Sequence, residues 1–415
     1  MAKNKSKNML KQYLLQNLAR MHDEIVQFTQ ELVKIPTENP PGKYYRECVD
    51  IIKKQLQKFN LPTRVVHVNA SDSNSYPRSC LIASYGEGQK TVYFHGHYDV
   101  VPAAHKNQFR PAIHKKKLFG RGSSDMKSGL ASMIYAVRLL QLCKVPLNGR
   151  ICLTIVPDEE TGGMYGTRYL IDTGYIKKAR AVAMIMPEPT SGAIWHACRG
   201  AISLMLKIKG KAVHVTLQRQ GINAFEKMVA LVNALLRLKA AVEKRKTDFN
   251  VGPGESKNSI LMLGGICRCG TNFNIVPGEC SMTLERRINP EEDFTTEKAA
   301  LFNLLRRFQK KGINLEIETL QEGESAGITS DHYAARALAE NIKRITGSRP
   351  QFRMCPGLLE IRYYIKRGIP AFAYGPGLLS VSHSPDEYVP VENIYNCAAI
   401  YALTAAQLLS QNKIK

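Results

Sequence analysis

The sequence has 415 residues, of which 44% are hydrophobic, and 58 basic against 35 acidic residues give a formal net charge of +23. This length and composition are typical of a globular protein of two or three domains, and they exclude a disordered or fibrous chain. No apolar run approaches the roughly 18 residues of a membrane span, and no zinc-finger or RNA-recognition motif accompanies the basic charge. We therefore interpret the charge as a solvated surface, with no membrane and no specific nucleic acid as partner.

The cysteines and the first residues of the chain indicate where in the cell the protein is expected. Ten cysteines are scattered from Cys48 to Cys397 without the framework of a disulfide-rich domain. No apolar signal-peptide core follows the basic start. We therefore expect reduced thiols and a cytoplasmic location. Cys267 and Cys269 could bind a metal, but two residues on one face of a strand is the simpler interpretation.

The first part of the chain alternates helical and strand patterns. Apolar residues at helical spacing predict helices over 10–35 and 45–59, and a short apolar run predicts a buried strand over 91–94. A helix is predicted over 130–142, and continuous apolar runs over 151–156 and 181–186 predict strands covered on both faces. This order is typical of an α/β fold with a mixed, mostly parallel sheet flanked by helices.

The pattern changes near Arg199. Apolar residues then alternate with more polar ones over 202–209, as in a sheet with one apolar face. A helix over 223–242, strands over 259–266 and 280–287, a helix over 296–310 and a strand over 313–317 complete a ferredoxin-like βαββαβ unit. A helix over 334–345, a strand over 371–374 and a helix over 392–409 return to the first pattern. The prediction is one α/β domain of residues 1–197 and 323–415, interrupted by a domain of residues 198–322.

Residues that can bind or steer a divalent metal lie near the ends of the predicted buried strands. They are His97, Asp99, Asp125, Glu159, Glu160, Glu188 and His383. Open α/β sheets place their chemistry at strand ends that face a crevice. Adjacent Glu159 and Glu160 would repel each other in a core, and a cation removes that repulsion. Each residue alone could belong to an ordinary turn or helix cap, but the whole set favours a metal site.

Longer motifs surround these residues. They are Ile35-Pro36-Thr37-Glu38-Asn39-Pro40-Pro41-Gly42, His95-Gly96-His97-Tyr98-Asp99, Gly120 through Gly129, Asp158-Glu159-Glu160-Thr161-Gly162-Gly163, Glu188-Pro189-Thr190, Tyr374-Gly375-Pro376-Gly377 and His383-Ser384-Pro385-Asp386-Glu387-Tyr388. With these motifs nearly the whole chain resembles the M20 metallopeptidase family, particularly its acetylornithine deacetylase, succinyl-diaminopimelate desuccinylase and aminoacylase branch.

The resemblance implies two divalent metal ions. His97 and Glu188 would hold one ion and Glu160 and His383 the other, and Asp125 would bridge them. Such nitrogen and oxygen ligands suit Zn²⁺, and Co²⁺ or Mn²⁺ could substitute.

The resemblance also implies roles for the neighbouring residues. Asp99 would orient His97, and Glu159 would be the general base. Because relatives hold the bond after the bridging aspartate in the cis form, the Asp125–Met126 peptide is expected to be cis.

By the same resemblance the inserted domain is a lid and dimerisation domain. His214 would reach the active site of the partner subunit in a homodimer and stabilise the oxyanion there. Arg199, Asn274 and Arg287 match residues that hold a substrate carboxylate, a task for which the arginine guanidinium is suited.

One segment departs from the family pattern. Gly357 is a further predicted substrate-binding position, but Leu358 and Glu360 follow it where relatives commonly carry a small or hydroxyl residue and then aspartate. Phe109 stands where many relatives have tryptophan. These changes concern substrate recognition and leave the predicted metal ligands intact.

The sequence therefore predicts a cytoplasmic two-metal hydrolase. It would cleave the amide bond of an N-acyl amino acid, as deacetylases and desuccinylases do, by a metal-bridging hydroxide with Glu159 as general base. A dipeptidase or carboxypeptidase on the same scaffold is the first alternative, and a catalytically inactive basic binding protein is the second. No predicted ligand or catalytic position is replaced, which argues against the second alternative.

Overall fold

The structure, a computed structural model, describes residues 2–68 and 76–410, with side chains from residue 9 onward. The chain divides into two compact units. Unit 1 comprises Met1–His196, Ile328–Phe352 and Tyr363–Lys415, and unit 2 comprises Ala197–Gly327 and Arg353–Arg362. The segment Arg353–Arg362, which the sequence pattern assigns to the α/β domain, thus belongs to unit 2.

The helices follow the predicted pattern closely. They are α1 (Ala2–Ala19), α2 (His22–Val33), α3 (Tyr45–Lys58), α4 (Ser128–Leu142), α5 (Tyr169–Asp172), α6 (Ala224–Val242), α7 (Phe294–Lys310), α8 (Tyr333–Thr346), α9 (Ile361–Lys366) and α10 (Val391–Leu408). The single helix expected over 10–35 is two helices, separated at Arg20 and Met21. Because Leu18, Met21 and Ile25 are all buried, the apolar spacing continues across the break and does not reveal it.

The strands complete the element order. They are β1 (Thr63–Val68), β2 (Arg78–Tyr85), β3 (Thr91–His97), β4 (Ala112–His114), β5 (Lys117–Phe119), β6 (Arg150–Val156), β7 (Ala181–Met186), β8 (Ile194–Cys198), β9 (Gly200–Lys209), β10 (Ile260–Cys269), β11 (Glu279–Ile288), β12 (Asn314–Gly323), β13 (Ala326–Gly327), β14 (Phe352–Cys355), β15 (Ala371–Ala373) and β16 (Tyr388–Pro390).

The large sheet of unit 1 is mixed, as expected. Its strands follow the order β1-β2-β6-β3-β7-β15-β8. The pairs β6–β3, β3–β7 and β7–β15 are parallel, whereas β1–β2, β2–β6 and β15–β8 are antiparallel. Parallel pairing is therefore confined to the centre of the sheet.

The core of unit 1 surrounds these central strands. All seven residues of β3 are buried, because helices cover both faces of a central parallel strand. Helices α4 and α10 are buried along most of their length and pack against each other. Since β3, β6 and β7 run parallel, their carboxyl ends meet at one edge of the sheet, where the predicted metal ligands lie.

Unit 2 has the predicted ferredoxin-like order, β9-α6-β10-β11-α7-β12. Its antiparallel sheet follows the strand order β10-β11-β9-β12. The apolar face forms a separate core in which Leu206 and Leu284 of the sheet lie with Leu231 of α6 and Leu305 of α7. In residues 2–68 and 76–410 no helix combines the length and apolar character that a bilayer span requires.

Candidate metal centre

The structure brings five predicted metal ligands together at the edge of the unit 1 sheet. Nε2 of His97, at the end of β3, lies 3.3 Å from Oδ1 of Asp125 and 3.7 Å from Oε1 of Glu188. Nε2 of His383 lies 3.3 Å from Oδ2 of Asp125 and 3.4 Å from Oε1 of Glu160. Each oxygen of Asp125 therefore faces one histidine–glutamate pair, which is the arrangement a bridging carboxylate requires.

The donor atoms fit divalent cations. Single ligand atoms of His97, Asp125 and Glu160 all lie within 4.8 Å of one another. Nε2 of His97 and Oε1 of Glu160 are buried and make no hydrogen bond within the described part of the chain. A buried polar atom left in this state costs about 1–3 kcal/mol, and a cation between the two atoms would remove that cost. Imidazole and carboxylate donors are ligands that Zn²⁺ prefers.

The electrostatics of the cluster favour positive charge. Burial alone would lower the pKa of His97, but its interactions with Asp125 and Asp99 outweigh burial and raise that pKa well above its ordinary value. The pKa of His383 is raised to about 11, because the carboxylates of Asp125 and Glu160 lie beside its ring. Without a metal, both rings hold protons, and a divalent cation would replace them.

Asp99 connects His97 to the turn that carries Glu159 and Glu160. Nδ1 of His97 faces the main-chain oxygen of Asp99 at 3.0 Å and Oδ1 of Asp99 at 3.3 Å. The same carboxylate accepts the N–H groups of Glu159 and Glu160, each at 3.2 Å, and the side-chain amide of Asn39 at 2.8 Å. In the neutral ring Nδ1 would therefore carry the hydrogen and leave the Nε2 lone pair for a metal. These are the contacts expected of an orienting residue.

The turn that follows β6 carries Glu159 and Glu160. It is a short 3₁₀ helix, Glu159–Thr161. Gly162 and Gly163 then take φ values of 105° and 73°, a left-handed conformation that favours glycine. The hydroxyl of Tyr363 donates to the carbonyl of Gly162 at 2.7 Å and secures the end of the turn.

Asp125 is held by a residue pair that the sequence analysis did not identify. The Asp125–Met126 peptide is cis, which confirms the prediction. Oε1 of Glu387 accepts the N–H groups of Ser124 at 2.9 Å and Asp125 at 3.0 Å. Its other oxygen binds the guanidinium of Arg121, which also donates to the carbonyl of His383 at 3.1 Å. Arg121 and Glu387 are each 2% exposed, so they form a buried pair of opposite charges. This burial arises only in the tertiary structure. The only sequence signal was that both lie in motifs beside predicted ligands.

The motif over residues 35–42 also holds Asp99 in place. The sequence analysis did not identify this role. Thr37 donates its hydroxyl to the carbonyl of Tyr98, while Asn39 binds the Asp99 carboxylate. The fully buried Lys127 donates from Nζ to the carbonyls of Leu32 at 2.9 Å and Ile35 at 2.6 Å. The motif therefore connects α2 to the residues that position His97.

The remaining predicted site residues lie in unit 2. A backbone bridge pairs His214 with Ile275, and the N–H of Val215 donates to the carbonyl of Asn274 at 2.9 Å, so two of these residues occupy adjacent segments. Nδ1 of His214 lies 2.8 Å from the Thr216 hydroxyl, and the side chain is exposed.

The other three unit 2 residues have separate surroundings. Arg199 is 2% exposed and donates from Nη2 to the carbonyl of Ser256, and burial lowers its pKa. Nε of Arg287 lies 2.6 Å from Oε1 of Glu285. Gly357 lies in the segment Arg353–Arg362 of unit 2. The roles of these residues toward a substrate remain predictions.

Comparisons with known proteins identify a matching family and similar relatives. The model of a family described as "Peptidase family M20/M25/M40" matches residues 93–407. A succinyl-diaminopimelate desuccinylase from Pelagibacter ubique is 27% identical over 388 residues, which cover 91% of this chain and 97% of the relative.

Two solved structures share the fold. The di-peptidase Dug1p from Saccharomyces cerevisiae has a TM-score of 0.79 at 14% identity, covering 97% of this chain and 99% of that one. The YXEP protein from Bacillus subtilis, described as a dinuclear metal binding peptidase from the M20 family, has a TM-score of 0.64 at 15% identity and covers 95% of this chain and 100% of its own.

Proposed function

Because the chain belongs to peptidase family M20/M25/M40, it is a hydrolase that acts on amide bonds, and we propose that it removes the acyl group from an N-acyl amino acid. The desuccinylases among its relatives support this substrate class. The observation that carries the proposal is the cluster in which Asp125 faces two histidine–glutamate pairs.

The proposed site would hold two divalent ions, with Zn²⁺ as the first choice. His97 and Glu188 would bind one ion, Glu160 and His383 the other, and Asp125 both. Ions bound there would polarise the amide carbonyl and lower the pKa of a water molecule to about 7.

Glu159 would carry the proton of the reaction. Its carboxylate would take a proton from the attacking water and deliver it to the nitrogen of the leaving amine as the amide bond breaks. The N–H of Glu159 donates to Asp99, so the residue that orients His97 also positions the base. Arg199, Asn274 and Arg287 are the proposed groups for the substrate carboxylate, and His214 is the proposed group for the oxyanion. Gly357 is a further proposed substrate-binding position.

A matched substrate series tests the proposal. The metal-free protein would be reconstituted with Zn²⁺, Co²⁺ or Mn²⁺ and assayed with N-succinyl, N-acetyl, N-formyl and glycyl derivatives of the same amino acids. We expect two metal ions per chain and a higher kcat/KM for the N-acyl compounds than for the dipeptides. The reverse preference would establish a dipeptidase or carboxypeptidase. No hydrolysis by protein with two bound metals would support an inactive binding protein.

We also propose a homodimer formed through unit 2. Phe225, Val229 and Leu236 on α6 are 52%, 41% and 46% exposed and lie at helical spacing on one face. Strand β10 is an edge of its sheet, and its Met262 and Ile266 are 48% and 50% exposed. Exposed apolar side chains beside an unpaired strand edge favour association with a second copy. Light scattering at micromolar concentration should give twice the mass of the chain, and a fully active monomer would contradict the proposal.

We propose the cytoplasm as the location. The ten cysteines all lie in the described part of the chain, where eight are buried and all ten are free thiols. Such thiols persist where glutathione and thioredoxin keep proteins reduced.

A further inference from the structure

Two cysteines of unit 2 face each other across neighbouring strands. The register of β10 and β11 pairs Cys269 with Cys280 and Cys267 with Met282. Directly opposed residues of an antiparallel pair place their side chains on one face, with Cα atoms about 4.5–5.5 Å apart. A disulfide requires Cα atoms about 4.4–6.8 Å apart, so the backbone spacing suits a bond between Cys269 and Cys280.

The two thiols differ in access to solvent. Cys269 is exposed, whereas Cys280 is 1% exposed and belongs to the core between the sheet and its helices. Burial and, after it, the neighbouring Cys269 thiol raise the pKa of Cys280 to about 12. A small oxidant in solution therefore meets Cys269 first.

We propose that Cys269 and Cys280 form an oxidisable pair that hydrogen peroxide converts into an intrachain disulfide. The Cys269 thiolate attacks one peroxide oxygen, the O–O bond breaks, and Cys269 becomes a sulfenic acid while the hydroxide that leaves takes up the proton released by the Cys269 thiol and becomes water. The Cys280 sulfur then attacks the Cys269 sulfur, the S–O bond breaks, and a second water leaves with the thiol proton. One peroxide is thus reduced to two waters while two thiols are oxidised.

Proximity compensates for the weak acidity of the resolving thiol. Cys280 supplies little thiolate at neutral pH, but the strand register holds it directly opposite the residue that it must attack, and held reactants gain a large effective concentration. Conversion of Cys269 to an uncharged sulfenic acid also removes the neighbouring thiolate that disfavours ionisation of Cys280. The exposed thiol would sense the oxidant and the buried one would complete the bond.

The disulfide would close a functional loop at its base. The connection between β10 and β11, residues 270–278, carries Asn274. It binds the His214 segment through the bridge to Ile275 and through the N–H of Val276, which donates to the carbonyl of Val213 at 2.8 Å. Oxidation would therefore restrict a loop that holds one predicted substrate-binding residue and contacts another predicted site residue. This consequence rests on the proposed function, whereas the disulfide does not.

Peptide mapping of the full-length protein tests the bond. The reduced protein would be exposed to hydrogen peroxide, alkylated with iodoacetamide and digested with trypsin. No lysine or arginine lies between residues 269 and 280, so both cysteines fall in one peptide, Cys269–Arg286, while Cys267 falls in Asn258–Arg268. We expect the peptide Cys269–Arg286 to escape alkylation and to be about 2 Da lighter than its dithiol form, and dithiothreitol should restore the mass.

Two variants provide the controls. Cys269→Ser changes an exposed side chain and should abolish the lighter peptide. Cys267 is also exposed and lies two residues away on the same face of β10, but it is opposite Met282, so the Cys267→Ser variant should retain the disulfide. A disulfide that links the two peptides, or a Cys269 sulfinic acid beside a free Cys280 thiol, would overturn the proposal.

The loop consequence has its own readout. After oxidation, the KM for the best substrate of the matched series should change in the wild type and stay constant in Cys269→Ser, which remains active. An unchanged wild-type KM despite a complete disulfide would overturn the link to Asn274 while leaving the bond itself established.

Discussion

Replacement of Glu387 by glutamine tests whether the buried Arg121–Glu387 pair holds the metal-ligand loops. The Glu387 carboxylate accepts two main-chain N–H groups, from Ser124 and Asp125, and binds the guanidinium of Arg121. Every one of these partners is a donor. A glutamine side chain has one acceptor oxygen, so its NH₂ group must face either Arg121 or the two N–H groups, donor against donor.

We expect the substitution to destabilise the protein strongly, although the intact pair itself adds little to stability. Burial raises the pKa of Glu387 and is a larger influence than Arg121, which lowers it, as is typical of a buried pair whose desolvation offsets its attraction. Breaking such a pair is different, because it leaves Arg121 charged and unpaired in the interior. We expect Glu387→Gln to lower the free energy of unfolding by about 3–5 kcal/mol. Because the pair also holds Asp125 and His383, metal affinity should fall about 10–100-fold.

The assay uses a natural probe and a neighbouring control. The chain has one tryptophan, Trp195, which is buried in β8 of unit 1, so its fluorescence reports urea unfolding of the unit that contains the proposed metal ligands. Asp386→Asn removes the adjacent carboxylate, which is exposed, and should change the free energy of unfolding by less than about 0.5 kcal/mol. Metal affinity would be measured for both variants by competition with a chelator.

If Glu387→Gln matches Asp386→Asn in both the unfolding midpoint and metal affinity, the buried pair does not support the site. Loss of stability with unchanged metal affinity would restrict its role to folding.

Three further predictions address chemistry, protonation and assembly. Glu159→Gln should keep two metals by mass spectrometry and lose about 10²–10⁴-fold in kcat, and retained activity would exclude Glu159 as the base. Because the pKa of His383 is raised to about 11 without metal, its proton is bound at pH 7 and metal must displace it. Metal uptake should therefore release protons and tighten as pH rises from 6 to 9. Calorimetry in buffers of different ionisation enthalpy detects the release, and identical heats would contradict it. For a shared site, mixing His214→Ala with Glu159→Gln subunits should restore activity, whereas no recovery after proven subunit exchange would argue against the shared site.

Some features of this protein follow from local sequence alone. The alternating pattern over 202–209 and the helical spacing over 223–242 and 296–310 predicted unit 2 because each element there has one apolar face. The continuous apolar runs over 91–94, 151–156 and 181–186 predicted buried strands because a central strand is covered on both faces. Glu159, Glu160 and His97 were predicted as site residues because carboxylate and imidazole side chains at the ends of such strands have few structural explanations.

Other features depended on distant parts of the chain. The break between α1 and α2 was not predicted, since its residues keep the apolar spacing of one continuous helix. The segment Arg353–Arg362 joins unit 2 through long-range contacts such as the N–H of Arg199 donating to the carbonyl of Cys355, which no local pattern records.

The support of the site was likewise decided only by tertiary structure. Arg121 and Glu387 are 266 positions apart, and Asn39 and Asp99 are 60 apart. A charged residue in a sequence is indistinguishable from a solvated one until folding buries it. Its partner is determined by which chain segments meet, because desolvation makes the unpaired charge costly wherever that burial occurs.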